Sequence, residues 1–219
     1  MQNGGGGNGY VRLFYRCVIG GFRLVYGILY DHKVEWEFDI QEVPGAAIVA
    51  PNHVSYLDPQ LVAASWPDDL HFFAGKRLFE KRIMRWILIH LCCHPVERGK
   101  ELSTIRTALD LLKEGNKVVL FPEGTRSEDG DLLPLRSGVA FLASQSQCPI
   151  IPCYVGGSYE AWPKTHRYPR VMGVRTVCRF GRPIWPKSAD GKVLSKQALN
   201  EALQEALVRL ASGRQDIRR

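Results

Sequence analysis

Three short, almost wholly apolar runs constrain this chain more than any other feature: Ala46–Ala50, Val118–Phe121 and Ile150–Val155. Each reads as a strand buried on both faces, the mark of a sheet covered on its two sides by helices. Helix-patterned stretches alternate with them. One runs from Asp58 to about Trp66 and another covers Lys76 to Leu91. Others span Leu102 to Gly115, about Arg136 to Gln145, and Ser195 to Ala211. Val34–Phe38 alternates polar and apolar, as an edge strand does, and a further strand is expected over Arg175–Phe180. The reading is an α/β domain with a central mixed, largely parallel sheet flanked by helices. At 219 residues the chain suffices for one such domain without a second core.

The first run leads straight into Pro51-Asn52-His53-Val54-Ser55-Tyr56-Leu57-Asp58-Pro59. Asp58 followed by Pro59 reads as a capping residue and a first-turn proline, so a helix begins there. His53 then lies just past the carboxyl end of a strand, where open α/β sheets build their sites. A five-residue loop can fold the Asp58 carboxylate back onto the imidazole. If it meets Nδ1, it sets the tautomer, leaves Nε2 as acceptor and stabilises the imidazolium once a proton is taken. The bland alternative is a loop histidine beside a simple helix cap.

The second run ends in the same manner, in Phe121-Pro122-Glu123-Gly124-Thr125-Arg126-Ser127. The pairing of Asn52-His53-x4-Asp58 with this block resembles the glycerolipid acyltransferases, in particular the 1-acyl-glycerol-3-phosphate (lysophosphatidic acid) acyltransferases. Pro95-Val96-Glu97-Arg98 and Ile150-Ile151-Pro152-Cys153-Tyr154 correspond to two further blocks of that family, and all four occur in its order. The resemblance covers roughly residues 46 to 157. It implies transfer of a fatty acyl group from an acyl-CoA or acyl-carrier-protein thioester to lysophosphatidic acid, giving phosphatidic acid, with no other cofactor. It assigns Glu123, Gly124, Thr125 and Arg126 to acceptor binding. Two positions depart from the family: Cys92-Cys93-His94 stands where a glycine is frequent before Arg98, and Arg136 replaces a common lysine.

The chemistry asks the same of these residues. An attacking hydroxyl needs a base, which His53 oriented by Asp58 supplies, and an activated thioester needs no covalent enzyme intermediate. A phosphorylated acceptor needs fixed cations, and Arg126 and Arg98, both just past strand ends, can fork onto a phosphate. Gly124 allows backbone to approach a ligand closely. A serine hydrolase or thioesterase using Ser55 or Ser158 is the competing enzyme, although no Gly-x-Ser-x-Gly elbow is present. A non-catalytic membrane-surface lipid carrier is the competing non-enzyme.

The balance of 29 Lys+Arg against 22 Asp+Glu, a net charge of +7, points to an anionic partner. No nucleic-acid motif occurs, and the basic residues are interleaved with large apolar ones, so an anionic membrane surface is expected instead. The six cysteines show no framework spacing and read as free thiols. His90-x-Cys92-Cys93-His94 lacks a second ligand pair, so no metal site is expected.

Residues 1–9 read as a glycine-rich disordered tail, 10–32 as a membrane-associating helical segment, 33–212 as the enzymatic domain and 213–219 as a charged tail. Within 10–32, Arg12, Arg16 and Arg23 fall within about 40° of one another on a helical wheel, with Phe14, Val18, Val25 and Leu29 roughly opposite. The expectation is a monotopic protein on the cytosolic face. The arginines would meet headgroups while Phe14, Phe22, Val25 and Leu29 sink below. A core helix with its arginines in water is the alternative.

Overall fold

The computed structural model describes residues 9–97, 99, 101–187 and 191–213. Residues 1–8, Arg98 and the end of the chain from residue 214 lie outside them. The described strands are β1 (Lys33–Trp36), β2 (Ala47–Pro51), β3 (Leu70–Gly75), β4 (Cys93–Val96), β5 (Lys117–Val119), β6 (Ile150–Gly156) and β7 (Val177–Phe180). They form one seven-stranded sheet in the order β1-β7-β6-β2-β5-β3-β4. Every neighbouring pair is parallel except β6 and β7. The carboxyl ends of β2, β5 and β6 therefore gather at one edge of the sheet.

Alternation along β2 explains why its sequence is apolar throughout. Ala47 and Val49 enter one core with helices α1 (Gly9–Tyr30) and α2 (Asp58–Ser65). Ile48 and Ala50 enter the other, with α4 (Glu101–Lys113), α5 (Gly138–Ser146) and α7 (Lys196–Ser212). A strand covered on both sides has no wet face to mark with polar residues.

Element boundaries differ from the sequence reading in three informative places. Lys76–Leu91 divides into a 3-10 turn, Lys76–Phe79, and the helix α3 (Arg82–His90). Ser103 lies inside α4 rather than capping it, because that helix already begins at Glu101. Asp58 opens α2, but its side chain does not cap it; Leu57 occupies the cap position and makes no side-chain bond.

Helix α1 has three faces where two were expected. Tyr15, Ile19, Tyr26 and Tyr30 are buried in the core, with Phe22 and Leu29 packed against it. Phe14 turns aside to meet Trp86 and His90 of α3. Leu13, Leu24, Val25 and Ile28 face outward instead, Ile28 being 72 % exposed. The arginines run along the seam between the buried and outward faces, and two of them hold the protein together. Arg12 pairs with Asp69 at 3.6 Å. Arg23 donates from Nε to the Ala64 carbonyl (2.7 Å) and from Nη2 to that of Trp66 (2.5 Å), at the carboxyl end of α2. A cation there satisfies carbonyls the helix leaves unpaired and complements its dipole. Phe14, Phe22 and Leu29, expected to face lipid, thus pack inside the domain while Val25 does face outward, and two of the three exposed arginines have partners within the protein.

Replacing Arg23 with Ala should lower the urea-unfolding free energy by about 1–2 kcal/mol. Replacing the exposed Arg16 should change it by less than about 0.5 kcal/mol. Equal small effects would show that the Arg23 bonds contribute nothing.

Candidate active site

The loop after β2 closes on itself through one carboxylate. Asp58 is fully buried, and its Oδ2 accepts from His53 Nδ1 at 2.9 Å and from the backbone N–H groups of Val54 and Ser55, each at 2.7 Å. Its Oδ1 accepts from the Ser158 hydroxyl at 2.6 Å. A carboxylate offers only lone pairs, so His53 carries its hydrogen on Nδ1 and presents a lone pair on Nε2. The imidazole stacks on Phe121, with ring centroids 4.0 Å apart, and its side chain is 18 % exposed. Among the described residues Nε2 has no protein partner.

The loop after β5 is bonded to the first. The Ser127 N–H donates to the His53 carbonyl (2.9 Å), and Glu123 Oε1 accepts from the His53 N–H (2.7 Å). Glu123 Oε2 accepts from the Leu133 N–H (3.0 Å), so both oxygens of this 2 % exposed side chain are taken by backbone. Burial pushes its carboxyl up to about 7, against the downward pull of those two N–H donors. Gly124 sits at φ +69, and a Cβ there would lie 2.8 Å from the Arg136 side chain, which packs across it. Thr125 is exposed beside it.

Arg126 is held by an aromatic plate. Its guanidinium lies 3.6 Å over the Tyr56 ring, and Tyr56 in turn contacts Trp162 with centroids 5.1 Å apart. Its Nη1 is buried and has no hydrogen-bond acceptor among the described residues. A buried guanidinium nitrogen without an acceptor is costly unless something anionic or polar reaches it.

Of the residues singled out in the sequence, His53, Asp58, Glu123, Gly124, Thr125 and Arg126 therefore fall on two loops bonded to one another at the carboxyl ends of β2 and β5. Arg98 lies outside the described residues. Ser55 and Ser158 are buried and engaged, Ser55 with the Trp162 carbonyl (2.7 Å) and Ser158 with Asp58. Neither donates to an imidazole, which removes the basis for a serine nucleophile. Ser158, at the start of the short helix α6 (Ser158–Ala161), supports Asp58 from 100 residues away. Its sequence neighbourhood holds no sign of that role. Tyr56 and Trp162 carry no such sign either, whereas Arg136 stands where the resemblance leads one to expect a basic residue. A separate groove of about 610 Å³, lined by Arg23, His32, Trp36 and Phe38 among others, contains none of the motif residues. The free imidazole nitrogen of His53 and Nη1 of Arg126 lie on the motif loops, away from that groove.

The sheet and these two loops define an acyltransferase-type domain. The acyltransferase family profile matches residues 34–156, more than half of the chain, and the chain belongs to that family. Over 155 residues it is 30 % identical to a 1-acyl-sn-glycerol-3-phosphate acyltransferase of Limnanthes douglasii, covering 68 % of this chain and 53 % of that protein. It is 29 % identical over 163 residues to the human 1-acyl-sn-glycerol-3-phosphate acyltransferase beta, covering 73 % and 57 %. The chain thus spans about half the length of these relatives. The crystal structure of the 1-acyl-sn-glycerophosphate acyltransferase PlsC of Thermotoga maritima superposes with a TM-score of 0.70 at 22 % identity, covering 94 % of this chain and 95 % of that one. The likeness bears out the α/β architecture, its largely parallel sheet and its N-terminal helix.

Glu123 makes a testable contribution to stability. Its folded carboxyl holds its proton up to about pH 7, above the ordinary 4.5. Between those values the native state binds more protons than the unfolded one, so stability falls as pH rises. The unfolding free energy of the native protein relative to Glu123→Gln should decline from about pH 4.5 to 7 and then level off. A constant difference across that range would mean the carboxyl titrates normally.

Proposed function

We propose that this protein transfers a fatty acyl group from a CoA or acyl-carrier-protein thioester to the free hydroxyl of 1-acyl-glycerol-3-phosphate, giving phosphatidic acid. The observation that carries the reading is one arrangement. An imidazole tethered at Nδ1 and free at Nε2 stands on a loop bonded to the one that bears a buried, unpaired guanidinium nitrogen. The names of the relatives support the same acceptor.

In the proposed reaction His53 Nε2 takes the acceptor's proton as its oxygen attacks the thioester carbonyl carbon. Asp58 steadies the imidazolium through Nδ1. The tetrahedral intermediate collapses with cleavage of the C–S bond, and the imidazolium returns the proton to the departing thiolate. Arg126, pre-set on Tyr56, binds the acceptor phosphate, and Arg136 adds a second positive charge across Gly124. Glu123 acts through the His53 loop it holds rather than by touching the acceptor.

The same reading seats the domain on the cytosolic face of a membrane without crossing it. Helix α1 is long and apolar enough to span a bilayer, yet one side of it is buried against the domain. Its outward Leu24, Val25 and Ile28, with Ile83, Trp86 and Ile89 of α3, offer apolar surface for the interface.

Purified protein given an acyl thioester and lysophosphatidic acid should yield phosphatidic acid, and release of free fatty acid instead would overturn the proposal. His53→Ala should remain folded and lose transfer altogether, whereas Asp58→Asn should lose most of it and some stability. Near-normal turnover by a folded His53→Ala protein would exclude the general base. Arg126→Ala should raise the acceptor KM about tenfold to a hundredfold, with the donor KM little changed, as loss of a charge-assisted bond implies. Equal effects on both substrates would make Arg126 structural.

A further inference from the structure

The segment from Lys164 to Arg175, between α6 and β7, has no role in the mechanism above, and its composition is unusual. It carries Lys164, Arg167, Arg170 and Arg175 and no acidic residue. Three of its apolar side chains point outward, Tyr168 at 71 % exposed, Val171 at 45 % and Met172 at 75 %, while Val174 is buried in the core. Met172 holds a φ of +115, which a non-glycine residue rarely adopts, so the backbone bears strain while presenting this side chain to solvent. Two of the cations are used internally, Lys164 against Glu128 (2.6 Å) and Arg175 against Asp31 (3.1 Å). Arg167 and Arg170 form no ion pair among the described residues, and the Arg167 guanidinium lies 5.4 Å over the Tyr168 ring.

Both ends of the segment are anchored where a bilayer matters. At its start Trp162 packs on Tyr56, the residue beneath Arg126, and the Tyr56 N–H donates to the Trp162 carbonyl at 3.3 Å. At its end the Thr176 N–H donates to the Tyr30 carbonyl at 3.0 Å, at the carboxyl end of α1. That end of the helix also carries the exposed Ile28.

We propose that residues 164–175 form a second membrane contact, with Tyr168, Val171 and Met172 entering the interface and Arg167 and Arg170 meeting anionic lipid headgroups. Aromatic and thioether side chains flanked by free arginines suit the boundary between acyl chains and headgroups. An acidic carrier protein would match the charge but not the three apolar side chains raised between the arginines. The loop runs between α1's outward face and the Arg126 site, so it holds the mouth of that site at the level of the headgroups. This inference rests on the membrane-surface reading above.

The test compares the full chain with two variants, Arg167→Ala/Arg170→Ala and Tyr168→Ser/Met172→Ser. Each is measured for co-sedimentation with phosphatidylglycerol-containing and pure phosphatidylcholine vesicles. Each is also assayed on bilayer-held lysophosphatidic acid and on a short-chain, water-soluble acceptor. The arginine variant should lose about tenfold or more in binding to anionic vesicles, and the apolar variant should lose binding to both kinds. Activity on bilayer-held acceptor should fall with binding, while turnover of the soluble acceptor stays unchanged. Variants that bind like the native protein overturn the loop contact but leave the membrane reading standing. A native protein that binds neither vesicle overturns both. A raised KM for the acyl donor, with vesicle binding intact, would assign the loop to the donor's carrier instead.

Discussion

The site depends on a single buried carboxylate. Asp58 receives four donors, from an imidazole, two consecutive backbone amides and a serine hydroxyl. Burying a charge is tolerable only when its lone pairs are met in this way. The two amides belong to the turn that carries His53, so the loop's shape and the imidazole's tautomer are set by the same group. Ser158 then fastens that group to the start of α6, just past the carboxyl end of the neighbouring strand β6. Orientation of the imidazole is thus set within the fold itself.

A second carboxylate repeats the device one loop away with a different result. Glu123 has both oxygens engaged by backbone N–H groups, from the His53 loop and from Leu133. It joins the two loops, with one backbone donor on each of its oxygens. On the same two loops, His53 Nε2 and Arg126 Nη1 have no partner among the described residues. Asp58 and Glu123 are neighbours of similar chemistry, but the one holds a side chain, the His53 imidazole, and the other holds backbone on both loops.

Much of the fold could be read from the sequence because β2, β5 and β6 are buried on both sides and leave continuous apolar runs. The two motif loops were legible for the same reason, since each follows such a run directly. What was not legible depends on distant partners. Nothing local marks Ser158 as the donor to a carboxylate a hundred positions earlier. Asp58 before Pro59 has every local feature of a helix cap, yet three stronger donors in the preceding turn, and Ser158, claim its side chain. The arginines of α1 illustrate the same limit. Periodicity placed them on one stripe, but only packing shows that the stripe abuts α2, where free carbonyls attract Arg23.

The order of the sheet has a consequence for how the protein is made. Among the described strands the first, β1, pairs with β7 alone, and Lys33 finds its partner Val177 144 positions later. At ordinary rates of synthesis that interval is roughly 7–30 s. Throughout it β1 is an open strand on a nascent chain, the kind of edge that recruits other chains. Lys33, Glu35 and Glu37 place a charge at every second position along this stretch. Two of them later find Arg179 and Arg209 in the finished domain. Such charges are the usual guard of an open edge, and in the finished sheet, where β1 remains the outermost strand, two of them also tie it to the domain.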